Sequence, residues 1–177
     1  MSTKKWQQRA YHVQALSLRA TRGHLVVGLR RWPCALGRSG RRAVKREGDG
    51  ASPIGCWAML MVYYRGDRGT RPRTGLPLRP LRINDGWCDA PADRNYNRAV
   101  RLPYSASAEH LWRDDRVYDL IVVLGHNQRP RQRGAGSAIF MHLARPGFTP
   151  TAGCIALTRR DLRQVLALTH PGTRIKI

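Results

Sequence analysis

The chain has 177 residues, a mass of 20.0 kDa and 42% hydrophobic residues, which favours one folded domain and excludes a fully disordered chain. Its apolar runs, such as 120–125, are far shorter than the roughly 20 residues of a membrane-spanning helix, so no transmembrane segment is expected. The formal net charge of +21, from 32 Lys and Arg against 11 Asp and Glu, predicts a basic surface.

The first twelve residues are polar and show no periodicity. They are predicted to form an extension, 1–12, ahead of a single domain over 13–177. The start of the chain contains no apolar stretch of the about 7–15 residues that a secretory signal needs. The sequence alone therefore predicts a cytoplasmic protein.

Strands are predicted at 13–19 and 24–30, joined by a turn at Thr21-Arg22-Gly23, with 32–36 continuing the second strand beyond a bulge. The segment 37–53 is rich in Gly and charge and is predicted to be a loop. The apolar run 55–64 has the length of a strand. The segment 65–116 is predicted to be mostly irregular, and so long an irregular stretch is often functional.

The last third of the chain has clearer patterns. Strands are predicted at 117–125, 137–143 and 153–157, and a closing strand at 173–177. In the second of these, Ala138, Phe140 and His142 share one face because side chains alternate along a strand. Thr158 and Asp161 form a variant capping box that opens a helix through residue 168. The pattern predicts a mainly β fold with one well-signalled C-terminal helix.

The chain has four cysteines, Cys34, Cys56, Cys88 and Cys154. No two of them form a C-x-x-C pair, which argues against zinc-ribbon and thioredoxin-type motifs. Free thiols are expected. Cys56, inside a predicted apolar strand, should be buried and slow to react, whereas Cys154 follows a glycine and is the expected reactive thiol. No metal site is predicted.

His142 and Cys154 are the pair of residues with the clearest potential for chemistry. His142 ends a predicted strand, and a hairpin that contains Pro146, Gly147 and Pro150 can return Cys154 beside it. A nucleophilic cysteine needs a base within hydrogen-bond reach, and histidine supplies one. From spacing alone the signal is weak, and a buried cysteine with an incidental histidine is the favoured explanation.

Thr151-Ala152-Gly153-Cys154-Ile155, preceded by His142, resembles the catalytic signature of the YkuD-type L,D-transpeptidase family. In that signature a His and a variable loop precede Ser/Thr-His-Gly-Cys and an aliphatic residue. The Gly-rich segment 45–55 and the strand that ends at Gly125-His126-Asn127 resemble family features as well. The resemblance covers roughly 13–177.

The resemblance implies a β-sandwich catalytic domain that acts on peptidoglycan stem peptides without a metal or organic cofactor. Cys154 would be the nucleophile, His142 the general base and acid, and backbone amides at Gly153 and Cys154 would hold the oxyanion. The resulting thioester would pass to an amine or to water, and carbapenem β-lactams could acylate the same sulfur. The substrate also implies the cell envelope or periplasm as the location.

Candidate substrate contacts are Thr151, whose hydroxyl could instead tighten its loop, Arg145, and Asn127, which could equally be a polar turn residue. Ala152 and Ala156 replace a His and an Arg that are usual in the family, which leaves open a hydrolase or endopeptidase rather than a cross-linking enzyme.

An alternative of another class is a non-catalytic basic module that binds cell-wall polymer or nucleic acid. Among the basic residues, 28 are Arg and they are scattered along the chain. They are not interleaved with aromatic residues, so no specific nucleic-acid partner is expected. Steep salt dependence of binding, unaffected by loss of Cys154, would favour this alternative.

Overall fold

A computed structural model of the chain describes residues 11–177. The predicted polar extension lies outside the described residues except for Tyr11 and His12, which belong to the first strand.

Within the described chain, strands alternate with loops until a single α-helix near the C-terminus. The strands are β1 (Tyr11–Gln14), β2 (Arg22–Val27), β3 (Arg30–Ala35), β4 (Arg41–Arg42), β5 (Ser52–Pro53), β6 (Cys56–Tyr64), β7 (Leu78–Pro80), β8 (Asp85–Cys88), β9 (Arg98–Arg101), β10 (Ala108–His110), β11 (Leu120–Leu124), β12 (Phe140–Leu143), β13 (Ile155–Leu157) and β14 (Arg174–Lys176); the helix is α1 (Arg159–Ala167). The prediction of a mainly β fold with one C-terminal helix is confirmed.

Nine strands form the main sheet, in the order β11-β12-β13-β3-β2-β1-β14-β6-β7. Strand β6 also pairs with β11, so the sheet closes on itself. A second, three-stranded sheet has the order β10-β8-β9, and β4 and β5 form a short parallel pair. Strands β11 and β12 are buried on both faces, one inside the closed sheet and the other beneath the three-stranded sheet, and the site described below lies on one of those faces.

Alternation of side chains along β11 divides the interior into two hydrophobic clusters. Leu120, Val122 and Leu124 pack into the larger cluster, which includes the buried face of α1. Ile121 and Val123 point to the opposite face and join a smaller cluster beneath the three-stranded sheet. A strand buried on both faces has a continuous apolar sequence, which explains why the pattern here is unbroken.

The helix begins where its sequence pattern predicts. Thr158 is the N-cap, and its hydroxyl accepts a hydrogen bond from the Asp161 amide at 3.1 Å. Leu162, Val165 and Leu166 are fully buried against the larger cluster. The spacing of these three residues places them on one side of the helix, as the 3.6-residue period requires.

The predicted bulge between 24–30 and 32–36 is wrong, because a tight turn separates two antiparallel strands there. Val27 is paired with Arg30, which leaves Gly28 and Leu29 as the turn. Gly28 has φ +60°, a left-handed conformation that glycine adopts without steric cost. The prediction treated an apolar run as continuous and missed this turn.

The prediction of a mostly irregular segment over 65–116 is also partly wrong. This segment contains β7 to β10, each only three or four residues long. Trp87 and Leu111, from the part that forms the three-stranded sheet, pack into the smaller cluster. Strands this short lack a clear alternation in the sequence, and their pairing depends on contacts with the rest of the fold.

Among residues 11–177, no helix has the length and apolar character needed to cross a membrane.

Candidate active site

The chain brings Cys154 beside the start of β12. The predicted hairpin is wrong, because β12 and β13 run parallel. Their connection passes the end of β3, where the Thr151 amide donates to the Leu36 carbonyl (2.9 Å) and the Arg38 amide donates to the Thr151 carbonyl (2.8 Å). Parallel strands begin at the same edge of a sheet, so the residue that precedes β13 lies beside Phe140.

A tight turn over 151–154 holds the nucleophile candidate. The Thr151 hydroxyl donates to the Cys154 carbonyl (2.7 Å) and accepts from the Gly153 amide (3.1 Å). Gly153 has φ +138°, and a Cβ there would lie 2.8 Å from the Ala51 carbonyl oxygen. Only glycine fits this position. The Gly153 amide, a predicted oxyanion donor, is engaged inside the turn in this structure.

Replacement of Thr151 tests whether its hydroxyl holds this turn. We expect Thr151→Val to lower the free energy of unfolding by about 1–3 kcal/mol, since two hydrogen bonds are lost at roughly 0.5–1.5 kcal/mol each. Thr151→Ser keeps both bonds and should remain close to the parent protein. Urea unfolding measures the difference. Equal stability of the valine and serine variants would show that the hydroxyl does not hold the turn.

The Cys154 thiol is 7% exposed and has two backbone partners. Its Sγ donates to the Ala138 carbonyl (3.2 Å) and accepts from the Phe140 amide (3.3 Å). The predicted strand 137–143 is therefore shorter than expected and begins at Phe140. Ala138 has φ +52°, a left-handed conformation outside the strand.

His142 lies on the same face of β12 as Phe140 and is also 7% exposed. Its Nδ1 is 2.9 Å from the Leu143 carbonyl oxygen. Because a carbonyl only accepts, Nδ1 carries the hydrogen and Nε2 carries the lone pair. The ring packs edge-on against Tyr118, with centroids 5.3 Å apart. These contacts fix the tautomer that presents a basic nitrogen.

Both residues of the pair are uncharged near neutral pH. Burial lowers the pKa of His142 to about 4, and the positive charges of Arg145 and Arg113 act in the same direction. Burial raises the pKa of the Cys154 thiol to about 12, and the Glu109 charge adds to the rise. Burial therefore works against the reactivity expected of the resting Cys154 thiol. The arrangement is a neutral thiol with a neutral imidazole rather than an ion pair.

Cys154, His142, Thr151 and Arg145 line one cavity of about 460 Å³. Ala152 and Ala156 line it too. Its other lining residues are Arg38, Lys45, Glu47, Gly48, Asp89, Glu109, Arg113, Val117, Tyr118, Ser137, Ala138, Ile139, Thr149 and Pro150. In the part of the chain that the structure describes, no three His, Cys, Asp or Glu side chains are arranged to hold a metal ion.

Arg145 is held at the rim of this cavity by a carboxylate. Its guanidinium donates to Asp115 Oδ2 at 3.0 Å, and Arg113 donates to both oxygens of the same carboxylate at 3.0 and 2.6 Å. The two arginines hold the pKa of Asp115 far below its usual range, the hydrogen bond from Arg113 contributing most. Arg145 is half exposed, and this pairing fixes its guanidinium against Asp115.

Asn127, predicted to contact substrate, does not line the cavity. Its Nδ2 donates to the Gln132 carbonyl (2.8 Å) and to the Gly136 carbonyl (2.9 Å), so it closes the loop that leads into β12. The neighbouring His126 contacts the Ala135 carbonyl through Nε2 at 2.9 Å. The structure therefore places both side chains within this loop.

Asn97 was missed by the sequence analysis, although it connects this loop to the site. Its Nδ2 donates to the carbonyls of His126 (3.1 Å) and Asn127 (2.9 Å). Its Oδ1 accepts from the Trp87 indole (2.9 Å) and from the amide of Ala138 (3.1 Å). Asn97 has φ +56°, and asparagine tolerates that conformation, but the sequence gives no signal for its distant partners.

The other cysteines differ in exposure. Cys34 and Cys88 are buried, but Cys56 is exposed, so its predicted burial is wrong. Cys56 is the first residue of β6, and its Sγ accepts from Arg174 Nε at 3.3 Å. A strand that covers the core with one face only leaves alternate side chains in solvent.

Comparison with known proteins gives one match, to a protein family. The family model of the L,D-transpeptidase catalytic domain, YkuD, matches residues 17–177, which include the cavity and its Cys and His. No curated protein and no solved structure gave a match. The match spans most of the chain and confirms the resemblance to the family. The chain therefore belongs to the YkuD family of L,D-transpeptidase catalytic domains.

Proposed function

We propose that the chain is a cysteine-dependent acyltransferase that acts on peptidoglycan stem peptides, with Cys154 as nucleophile and His142 as general base and acid. The observation that carries this proposal is one cavity lined by a buried thiol and by an imidazole whose tautomer is fixed by the Leu143 carbonyl. Membership of the YkuD family supports the substrate class.

In the proposed acylation, the thiol hydrogen leaves the Ala138 carbonyl and passes to His142 Nε2 as Sγ attacks the carbonyl carbon of the stem peptide. Proton transfer in the transition state removes the need for a preformed thiolate, which burial disfavours. The tetrahedral intermediate collapses as the C–N bond breaks, and His142 returns the proton to the leaving amine. A D-amino acid leaves, and the acyl group remains on Cys154 as a thioester.

The second half of the reaction uses the same groups in reverse. An amine of another stem peptide, or water, attacks the thioester, and His142 takes its proton and returns it to Sγ. Ala152 and Ala156 present only methyl groups to the cavity, so this wall leaves space where the resemblance implies larger side chains. Analysis of the products decides between cross-linking and hydrolysis.

We also propose that the protein works in the cell envelope, where stem peptides occur.

Intact-protein mass spectrometry tests the proposal. A stem tetrapeptide should add its acyl part to the protein, minus the terminal D-residue, and peptide mapping should place the mass on Cys154. A carbapenem should form an adduct at the same sulfur. Cys154→Ala should lose both adducts, whereas Cys56→Ser, a matched change of an exposed thiol, should keep them.

Two results would contradict the proposal. One is the absence of any adduct on Cys154 with donors and carbapenems. The other is tight, strongly salt-dependent binding of an anionic polymer that survives Cys154→Ala without turnover, which would favour a binding module.

A further inference from the structure

Three carboxylates line the cavity that contains Cys154, and none of them is paired with a basic side chain in the described chain. These residues, Glu47, Asp89 and Glu109, are called the acidic wall. Six other acidic residues form ion pairs with Lys or Arg: Asp49, Asp67, Asp85, Asp114, Asp115 and Asp119. With 32 basic residues against 11 acidic ones, a shortage of cations does not explain the unpaired state of the wall.

The basic side chains of the cavity are largely neutralised by other partners. Lys45 contacts Asp49 at 2.5 Å, and Arg113 and Arg145 share Asp115. Four cationic side chains line the cavity against the three carboxylates of the acidic wall, but Lys45, Arg113 and Arg145 are paired with carboxylates outside the wall. The wall carboxylates therefore have no ion-pair partner among the cations that line the cavity.

Hydrogen bonds within the protein orient the acidic wall but leave acceptor capacity free. Glu109 accepts from the Tyr118 hydroxyl at 2.7 Å, and Glu47 accepts from the Tyr96 hydroxyl. Asp89 Oδ1 is buried without a hydrogen-bond partner among the described residues. A carboxylate can accept several hydrogen bonds, so each member of the wall can still receive an N–H donor.

Ser137 is a second, independent sign of an unfilled polar site. Its side chain is 7% exposed and lines the same cavity. Its Oγ lies near the Tyr96 hydroxyl but without hydrogen-bond geometry to any group that the structure describes. Buried polar atoms are nearly always paired, so this hydroxyl points to a partner supplied by a ligand.

We propose that the acidic wall binds a primary ammonium group of the stem peptide, next to the thiol that forms the thioester. This inference rests on the proposed function. An ammonium carries one positive charge and three N–H donors, which suits carboxylates that have no cation of their own. The ammonium can belong to the acyl donor, on a diamino residue, or to the acceptor.

For the acceptor, a carboxylate of the wall can also accept a proton. The acceptor arrives as an ammonium and transfers one proton to a wall carboxylate, which gives the free amine. The amine nitrogen then attacks the thioester carbonyl, the C–N bond forms and the C–S bond breaks. His142 moves the remaining proton from nitrogen to Sγ. Burial raises the pKa of Glu109, and the charges of Asp89 and Glu47 add to that rise, which favours proton uptake there.

Binding of tetrapeptides to the Cys154→Ala protein tests whether the wall binds the ammonium of the acyl donor, because this variant cannot form the thioester. Two tetrapeptides that differ only by lysine or norleucine at the third position are compared by calorimetry. We expect the lysine peptide to bind about tenfold more tightly, as a charge-assisted hydrogen bond would give. Glu109→Gln and Asp89→Asn, which keep shape and hydrogen bonding, should reduce that preference to about threefold or less. Asp161→Asn, an acid outside the cavity, should leave it unchanged.

A second experiment tests whether the wall binds the ammonium of the acceptor. It compares the parent protein and the wall variants, all with Cys154 intact, on the same acyl donor. The ratio of transfer to hydrolysis is measured with an amine acceptor at saturating donor, and Glu109→Gln should lower it several-fold. Asp161→Asn, outside the cavity, should leave both this ratio and the rate of thioester formation unchanged. Circular dichroism verifies that each variant is folded, and Glu47→Gln provides a second wall variant if one fails. A loss of the lysine preference in the binding experiment assigns the ammonium to the acyl donor, and a lower transfer-to-hydrolysis ratio assigns it to the acceptor.

The proposal is overturned if neither experiment shows a difference between the parent and the folded wall variants. It is also overturned if Mg²⁺ or Mn²⁺ binds at the wall, is lost in Glu109→Gln, and no preference for lysine is found. Failure of the proposed function is a separate result: the lysine preference of the Cys154→Ala protein would remain, while no thioester forms on Cys154 with any donor.

Discussion

At pH 7.5, iodoacetamide should modify Cys154 more slowly than N-acetylcysteine by on the order of a hundredfold or more. An ordinary thiol, with a pKa of about 8.5, is roughly one tenth ionised at that pH. Burial raises the pKa of the Cys154 thiol to about 12, which leaves far less thiolate. A thiolate of high pKa is intrinsically more nucleophilic, but this offsets only part of the loss.

Timed alkylation followed by peptide mapping measures the order of labelling. Cys56 is exposed and should be labelled first, whereas Cys34, Cys88 and Cys154 should follow slowly. In Cys56→Ser the first labelling phase should disappear, while acyl transfer from a tetrapeptide to Cys154 remains. Labelling of Cys154 ahead of Cys56 would mean that the resting enzyme contains a thiolate, and the neutral pair described above would be wrong.

This contrast separates two kinds of reactivity. A neutral alkylating reagent needs a preformed thiolate, whereas a bound stem peptide can react while His142 removes the proton in the transition state. We therefore expect the thiol to stay protected from general electrophiles and to become nucleophilic only with a substrate held in the cavity. Substrate selection would then depend on the acidic wall as well as on the sulfur.

Local patterns predicted those parts of the fold that depend on residues close in sequence. Thr158 and Asp161 begin α1 as predicted, because a capping interaction spans three residues. Alternation along β12 placed His142 on the face of Phe140, because side-chain direction follows from strand geometry. The family motif predicted Cys154 as the nucleophile, and the structure places this residue in the same cavity as His142.

Long-range arrangements could not be predicted from such patterns. The parallel pairing of β12 and β13 depends on hydrogen bonds between the connecting loop and the end of β3. The acidic wall combines residues 47, 89 and 109, which are far apart in sequence. Its significance comes from the absence of ion pairs among described residues, a property of the fold that no spacing in the sequence encodes.

His142→Ala should slow thioester formation by about 10²–10⁴-fold, the usual effect of removing a general acid–base group. In the parent protein, kcat/KM for acylation should be nearly constant from about pH 5 to pH 8. Burial lowers the pKa of His142 to about 4, so its Nε2 remains unprotonated over that range. Single-turnover mass spectrometry across pH measures both effects. An acid limb near pH 6.5 would instead indicate a solvated imidazole and contradict the neutral pair.

The same buried imidazole should make the fold sensitive to acid. In the unfolded chain a histidine has a pKa of about 6.5, so below that pH the unfolded state takes up a proton that the folded state, with a pKa of about 4, resists. The stability linked to His142 is therefore fully present above pH 6.5 and is lost as the pH falls toward 4. The loss should approach about 3 kcal/mol.

Urea unfolding of the parent and of His142→Gln between pH 4 and pH 7 isolates this contribution, because the carboxylates titrate in both proteins. The difference in unfolding free energy between the two should shrink as the pH falls through this range. His126, whose pKa is also lowered by burial, remains in both and cancels in the comparison. A difference that stays constant from pH 7 to pH 4 would show that His142 is accessible to protons in the folded state. The neutral thiol–imidazole pair would then no longer explain how Cys154 is activated.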